Sequence, residues 1–258
     1  MLMVRAEQMS AFKQMARHSF EDKMLVHLRE FSPPLFKAAG EGQMREAIQL
    51  GIDRAATYGF TFRGPVRLYL ELMLLFGSYF DTDPQYPWAA DILVNQEAGS
   101  QMQRAELLYA KAMDYRHKVA GPEDAFALEA LRNIATFLRQ PIPLSSLNFV
   151  PAMLQEIANL YPQKAAYVGK EGLEALIYQG MDDAQRQRFS TVRGVTLFIV
   201  LMLAFGHSCG SDPLYPWIPN SLKDEAIADY EARIMYLEEK TLSWIEYVLA
   251  YFDKEMKA

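Results

Sequence analysis

The chain has 258 residues, of which 51% are hydrophobic and 22% are charged. It can therefore bury a sizeable core as one large domain or two small ones, and wholesale disorder is excluded. Its formal net charge of −6 and dispersed lysines and arginines argue against nucleic acid or an anionic membrane as partner, because both need clustered basic groups. The single cysteine, Cys209, excludes an intramolecular disulfide and a metal site made of several cysteines.

We expect neither a targeting segment nor a membrane-spanning segment in this chain. Residues Met1 to Gln8 lack the apolar run of a secretion signal. The most apolar segment, Val195 to Phe205, is well short of the roughly 20 residues that cross a bilayer. We expect this segment to be a helix buried on all sides, and the protein to be cytoplasmic.

Apolar side chains recur every three or four residues along the chain, which predicts helices, and no segment is a convincing strand. Near the N-terminus, Phe12, Met15, Phe20, Met24 and Leu28 are expected to share one helix face. The predicted helices span residues 4–29, 41–57, 64–77, 88–96, 100–118, 123–139, 148–160, 170–186, 191–206 and 224–253.

Local signals mark several helix ends. Ser100 followed by Gln103 is a capping-box pattern. The run from Gly121 to Asp124 predicts another helix start, with proline and acids in the first turn. Helix breaks are expected at Pro33-Pro34, at 141–143 and at Pro162.

The two halves of the chain repeat one pattern. The segment from Phe76 to Trp88 recurs from Phe205 to Trp217, at an offset of 129 residues. The same offset pairs Phe20 with Phe149, Met24 with Met153, Pro33 with Pro162, Gly51 with Gly180, Phe60 with Phe189 and Leu108 with Leu237. We therefore predict an all-α fold made by tandem duplication of a multi-helix unit, with pseudo-two-fold symmetry. Residues 1–122 would form the first repeat, 123–147 a connecting helix and proline-containing linker, and 148–258 the second repeat, the two packed as one body.

Each repeat contains a corner in which a helix ends in Phe-Gly and Asp-Pro-x-Tyr-Pro-Trp follows. The glycines are expected to end their helices at positive φ, the aspartates to accept backbone N–H bonds in Asx turns, and the tryptophans to bury their rings while their indole N–H groups keep a partner. Stiff corners of this kind favour a structural role, and a partner-binding edge is the alternative. The corner residues are Gly77, Asp83, Pro84, Tyr86, Pro87 and Trp88 in the first repeat and Gly206, Asp212, Pro213, Tyr215, Pro216 and Trp217 in the second.

The tip of this corner differs between the repeats. The first has Tyr79, Phe80 and Asp81, whereas the second has Ser208-Cys209-Gly210. The aromatic and acidic first tip is the better candidate for contact with a partner.

No recognisable catalytic motif is present. A dyad of His207 and Cys209, or a metal site there, is the weaker alternative to a small structural cysteine. The acid pairs 81/83 and 182/183 are expected to be solvated. The histidines, none at metal-ligand spacing, are His18, His27, His117 and His207. We expect a protein that is not an enzyme and has no metal or cofactor, although an enzyme with an unrecognised acid/base site remains an alternative.

The stretches Gly51 to Gly59 and Leu72 to Ala89 resemble bacterial helical proteins encoded near type VI secretion effectors, their spike proteins and adaptor chaperones. The resemblance covers about residues 40–93, and its most specific part is Gly-Ser-Tyr-Phe-Asp-Thr-Asp-Pro-x-Tyr-Pro-Trp-Ala. The second repeat departs from it, with Asp183 in place of Arg54. The resemblance implies a chaperone or co-adaptor for an effector or its adaptor and assigns no catalytic residue. An immunity protein that occludes a toxin's active site is the alternative, since an acidic chain suits a basic toxin.

Overall fold

The computed structural model describes residues 6–95, 97, 99–227 and 229–255. Within these ranges the fold is all-α, with twelve α-helices and no strand, which confirms the predicted class. No helix in the described ranges is long and apolar enough to span a bilayer. The helices are α1 Ala6–Phe31, α2 Pro33–Ala39, α3 Glu41–Thr57, α4 Arg63–Phe76, α5 Pro87–Val94, α6 Gln101–Tyr115, α7 Ala125–Leu138, α8 Phe149–Leu160, α9 Pro162–Arg186, α10 Val192–Phe205, α11 Trp217–Lys223 and α12 Tyr230–Glu255.

Two of the expected helix breaks are helix starts. Pro33 begins α2 and Pro162 begins α9, because proline has a suitable φ for the first turn and the N–H it lacks is not needed there. The prediction of breaks at these prolines was therefore incomplete, and it missed α2 and the first turns of α9. Helix α9 bends at Gly169, where φ is 77°. The segment 141–145 lies outside the helices, as expected.

The region between α6 and α7 has an unusual backbone. Helix α6 begins with the predicted capping box at Ser100 and Gln103 and continues into a π-helix at Arg116–Ala120. Glu123 and Asp124 then take φ values of 51° and 60°, which is the left-handed region. Helix α7 therefore begins at Ala125 rather than at residue 123.

Helix α10 lies in the centre of the core. It packs against α9 and α12, and its side chains from Thr196 to Leu203 are all buried. The prediction that this apolar segment forms a helix buried on all sides is confirmed. One continuous hydrophobic cluster includes residues from α1 to α12.

Helix α1 does not have the single apolar face that its spacing suggested. Met24 and Leu28 are buried, but Phe12 and Met15 are each 57% exposed. The five-residue step from Met15 to Phe20 turns a helix by about 140°, so the two groups lie on different faces. The early apolar residues therefore point to solvent, and the prediction of one shared face was wrong for them.

The C-terminal ends of α4 and α10 meet at two glycines. Gly77 and Gly206 both have φ 95° and end their helices. A Cβ atom on Gly77 would lie 2.7 Å from the carbonyl oxygen of Phe205, and one on Gly206 would lie 3.0 Å from that of Phe76. Only glycine allows both the backbone conformation and this close approach.

Candidate functional site

Asp83 joins its own corner to the end of α10. Its Oδ1 accepts the backbone N–H of Gln85 at 2.9 Å, which is the expected Asx turn. Its Oδ2 accepts the backbone N–H of His207 at 2.7 Å and the side-chain amide of Gln85 at 3.1 Å. Because the carboxylate serves both segments, it ties them together.

Asp212 makes the reciprocal connection to the end of α4. Its Oδ1 accepts the backbone N–H of Leu214 at 2.9 Å, and its Oδ2 accepts that of Ser78 at 2.8 Å. The Ser78 hydroxyl donates to Oδ1 at 2.5 Å. Burial raises the pKa of Asp212, an effect that the bonds from Ser78 and Leu214 oppose.

The acids of the first corner are not solvated. Asp81 is 2% exposed and Asp83 is 3% exposed, so the prediction that this pair lies at the surface was wrong. The sequence around this pair does not signal its burial, because each carboxylate accepts from a donor far away in the chain, Arg54 for Asp81 and the His207 N–H for Asp83. Of the other pair, Asp182 is exposed and Asp183 is half-buried.

The first tip is largely inside the protein. Phe80 is fully buried, and Tyr79 is half-buried beneath the Arg54 guanidinium, 4.6 Å from its ring centre. Asp81 accepts from Arg54 Nη2 at 2.6 Å and from the Tyr58 hydroxyl at 2.8 Å. Burial and this bond raise the pKa of Tyr58 to about 12. Phe80 and Asp81 therefore do not present a surface to a partner, and only Tyr79 of the predicted three is partly accessible.

The second tip offers no activated nucleophile. Cys209 is fully buried, and burial raises the pKa of its thiol well above the usual value, which opposes formation of a reactive thiolate. His207 instead lies near the hydroxyls of Ser208 and Thr82, at 3.0 and 3.4 Å from its Nε2. Among the described residues no group of three or more His, Cys, Asp or Glu side chains could hold a metal ion.

The remaining corner residues pack as aromatic clusters. Phe76 contacts Tyr86 and Trp88, and Phe205 contacts Tyr215 and Trp217. The tryptophan rings are partly buried. Their Nε1 atoms are shielded and have no hydrogen-bond partner, contrary to expectation.

Pro84 is half-buried, and Pro87 begins α5 at the surface. Pro213 and Pro216 are half-buried in the second corner.

A cavity of about 270 Å³ lies beside these clusters and was not foreseen from the sequence. The ends of α4 and α10 meet the π-helix, α7 and α12 around it. Its walls are mainly apolar, but Lys164 from the first turn of α9 also lines it and is only 3% exposed. No motif marks this lysine, because the elements that surround it are far apart in the chain.

An apolar surface on α1 is the second feature that sequence reasoning missed. Met9, Phe12, Met15 and Val26 are 47%, 57%, 57% and 55% exposed. At 100° per residue they fall on one side of the helix, within about a third of a turn. We refer to these four side chains as the α1 outer face.

Comparison of the chain with protein-family models, with curated proteins and with solved structures found no match in any of the three. The functional conclusion therefore depends on the geometry of the described residues and on the sequence pattern.

Proposed function

We propose that this is a non-enzymatic accessory protein of the cytoplasm that binds another protein through the α1 outer face. The observation that carries the proposal is the exposure of Met9, Phe12, Met15 and Val26 on one side of a helix. Met9, Phe12 and Met15 follow one another at three-residue steps, and Val26 lies on the same side beyond the exposed Ser19 and Asp22. Exposed apolar side chains grouped on one helix face are characteristic of interaction sites. Methionine is suited to such a site because its flexible thioether adapts to a partner's shape.

The position of this face in the repeat pattern supports a role beyond packing. The offset of 129 residues aligns Phe20 with Phe149, the first residue of α8. The part of α1 before Phe20, which carries Met9, Phe12 and Met15, therefore has no counterpart in the second half. A segment added to one copy alone and left apolar at the surface is the expected form of a docking element.

A duplicated scaffold that holds this face is part of the proposal. The bounds of α4 and α10 differ by 129 residues at both ends. Gly77 and Gly206 share φ 95° and ψ 154°, and the carboxylates of Asp83 and Asp212 exchange hydrogen bonds with the opposite helix end. These correspondences support two repeats, 1–122 and 148–258, related by a pseudo-two-fold axis and joined by residues 123–147.

The partner we propose is a type VI secretion effector or its adaptor, with this protein as chaperone or co-adaptor. The sequence resemblance over about residues 40–93 supports that assignment. Because α1 is already helical, little conformational entropy would be lost when it docks.

Co-expression with the products of the two genes that flank this one tests the proposal. We expect wild-type protein to co-purify with one of them, and the double variant Phe12→Asp/Met15→Asp to lose at least 90% of the captured partner. Its melting temperature should change little, because both side chains are already in solvent.

Met235→Asp is the matched control, since Met235 on α12 is 62% exposed but lies outside the α1 outer face. It should retain the partner. Equal capture by wild type and the α1 double variant would remove the α1 outer face from the proposal, and capture of neither neighbour by wild type would contradict the assigned role.

Co-expression also separates a chaperone from an immunity protein. The immunity role is the alternative, because a net charge of −6 suits binding to a basic toxin. A chaperone restores solubility or export of the effector. An immunity protein restores growth of cells that produce the toxin alone.

A further inference from the structure

The cavity at Lys164 holds a buried cation with no anion beside it. The Lys164 Nζ donates to the carbonyl oxygen of Leu203 at 2.5 Å and to the Tyr86 hydroxyl at 3.4 Å. Among the described residues, no carboxylate lies within ion-pair distance of it; Asp83 acts only from farther away. Desolvation lowers the pKa of Lys164 to about 8, and an anion bound beside the amine would favour its ammonium form.

The rings of Tyr86 and Tyr161, whose centres lie 5.6 and 6.0 Å from Nζ, compensate part of the charge. A buried cation without a counter-anion is still costly. Capping the end of α10 through Leu203 does not account for the lysine. At the equivalent position in the first half, 129 residues earlier, the chain has Leu35 instead of lysine. Helix α4 still ends at Gly77, as α10 ends at Gly206, without a lysine to cap it. The position therefore carries a charge that helix termination does not require.

The rest of the cavity suits the apolar part of a ligand. Leu128, Leu131, Ile134 and Val248 line it. Trp244 also lines it, and its indole Nε1 is buried without a hydrogen-bond partner. A site with apolar walls, one buried cation and one free donor has the make-up of a small-molecule pocket.

The wall nearest the π-helix adds to this interpretation. Arg116 of the π-helix lines the cavity and pairs with Asp124 at 3.1 Å, and the φ of Asp124 is 60°. π-helices and left-handed non-glycine residues are both more common at functional sites.

We propose that this cavity binds a small carboxylic acid with an apolar chain, whose carboxylate pairs with the Lys164 ammonium and whose chain packs against α7 and α12. A volume of about 270 Å³ accommodates roughly nine or ten non-hydrogen atoms, at about 30 Å³ for each water-sized group. This site is separate from the α1 outer face, so it stands or falls independently of the proposed partner.

Isothermal titration calorimetry at pH 7 tests the site with octanoate, which has ten non-hydrogen atoms, and with octanamide, its uncharged isostere. We expect one octanoate per chain and at least tenfold weaker binding of octanamide. Lys164→Met should abolish this preference while leaving octanamide affinity within about threefold. Lys170→Met is the control, because Lys170 lies at the surface of α9, and it should behave as wild type.

A second measurement uses the wild-type sequence, so it holds even if Lys164→Met fails to fold. The lysines are labelled with ¹³C during biosynthesis, and the Cε resonance of Lys164 is followed by NMR during a pH titration. Octanoate should raise the apparent pKa of this amine by about one unit or more. No saturable octanoate binding, equal binding of octanoate and octanamide, or a Lys164 titration that octanoate leaves unchanged would each overturn the proposal.

Discussion

At Gly77 and Gly206 the requirement for glycine comes from two separate causes, positive φ and a neighbouring backbone oxygen. Gly77→Ala should lower the free energy of unfolding by more than about 2 kcal/mol. Positive φ with extended ψ costs alanine about 1–3 kcal/mol, and the new Cβ would lie 2.7 Å from the Phe205 carbonyl oxygen. Urea denaturation followed by circular dichroism measures the loss.

Two other glycines separate these causes. Gly40 has φ 82° and open space around it, whereas Gly42 has open space within regular helix. Gly40→Ala should therefore cost only the conformational part, and Gly42→Ala should raise stability by up to about 1 kcal/mol. A Gly77→Ala loss no greater than that of Gly40→Ala would show that the two helix ends are not in contact.

Single residues were predictable where the cause is local. The Asx turns were predictable because the carboxylates of Asp83 and Asp212 each accept the backbone N–H of the residue two positions later in the chain. The second oxygen of each carboxylate reaches a residue more than 120 positions away, and no local pattern encodes that. For the same reason the burial of Asp81 and the position of Lys164 were missed.

At the scale of elements, α10 contains a polar group without a partner. The Thr196 hydroxyl is buried and unpaired, whereas the Thr241 hydroxyl in α12 is buried and donates to the Leu237 carbonyl at 2.7 Å. Replacing an unsatisfied hydroxyl with a methyl group removes a desolvation cost of about 1–3 kcal/mol. Thr196→Val should therefore be at least as stable as wild type, and more stable than Thr241→Val by about 1 kcal/mol or more.

Chemical denaturation of the two valine variants under identical conditions measures that difference. If Thr196→Val proved the less stable of the two, the packing assigned to α10 would be incorrect.

Helices were predictable where periodicity and length agree. The run from Val195 to Phe205 has too many apolar residues for a surface helix, and it is the central one. Proline misled the prediction at Pro33 and Pro162, because the same residue ends one helix and begins the next. In α1, the spacing of apolar residues alone did not distinguish core from surface positions. The five-residue step from Met15 to Phe20 rotates the side chains to a different side of the helix, and this rotation separates the two groups.

For the whole molecule, the fold class follows from composition and periodicity, but the cavity does not. Six α-helices from α4 to α12 and the π-helix line it, so their arrangement is a property of tertiary packing. The central claim is that the carboxylates of Asp83 and Asp212, each bonded to the opposite helix end, make the two halves one body.

The three tryptophans allow a direct test, since Trp88 lies in the first half and Trp217 and Trp244 in the second. Urea unfolding is followed by tryptophan fluorescence and far-ultraviolet circular dichroism in two variants, Trp88→Phe and Trp217→Phe/Trp244→Phe. If the halves are one body, the fluorescence and helix signals of each variant will have the same midpoint and slope. If, in either variant, the fluorescence change were complete when only about half of the circular dichroism signal had been lost, or began only after that point, the claim would be contradicted.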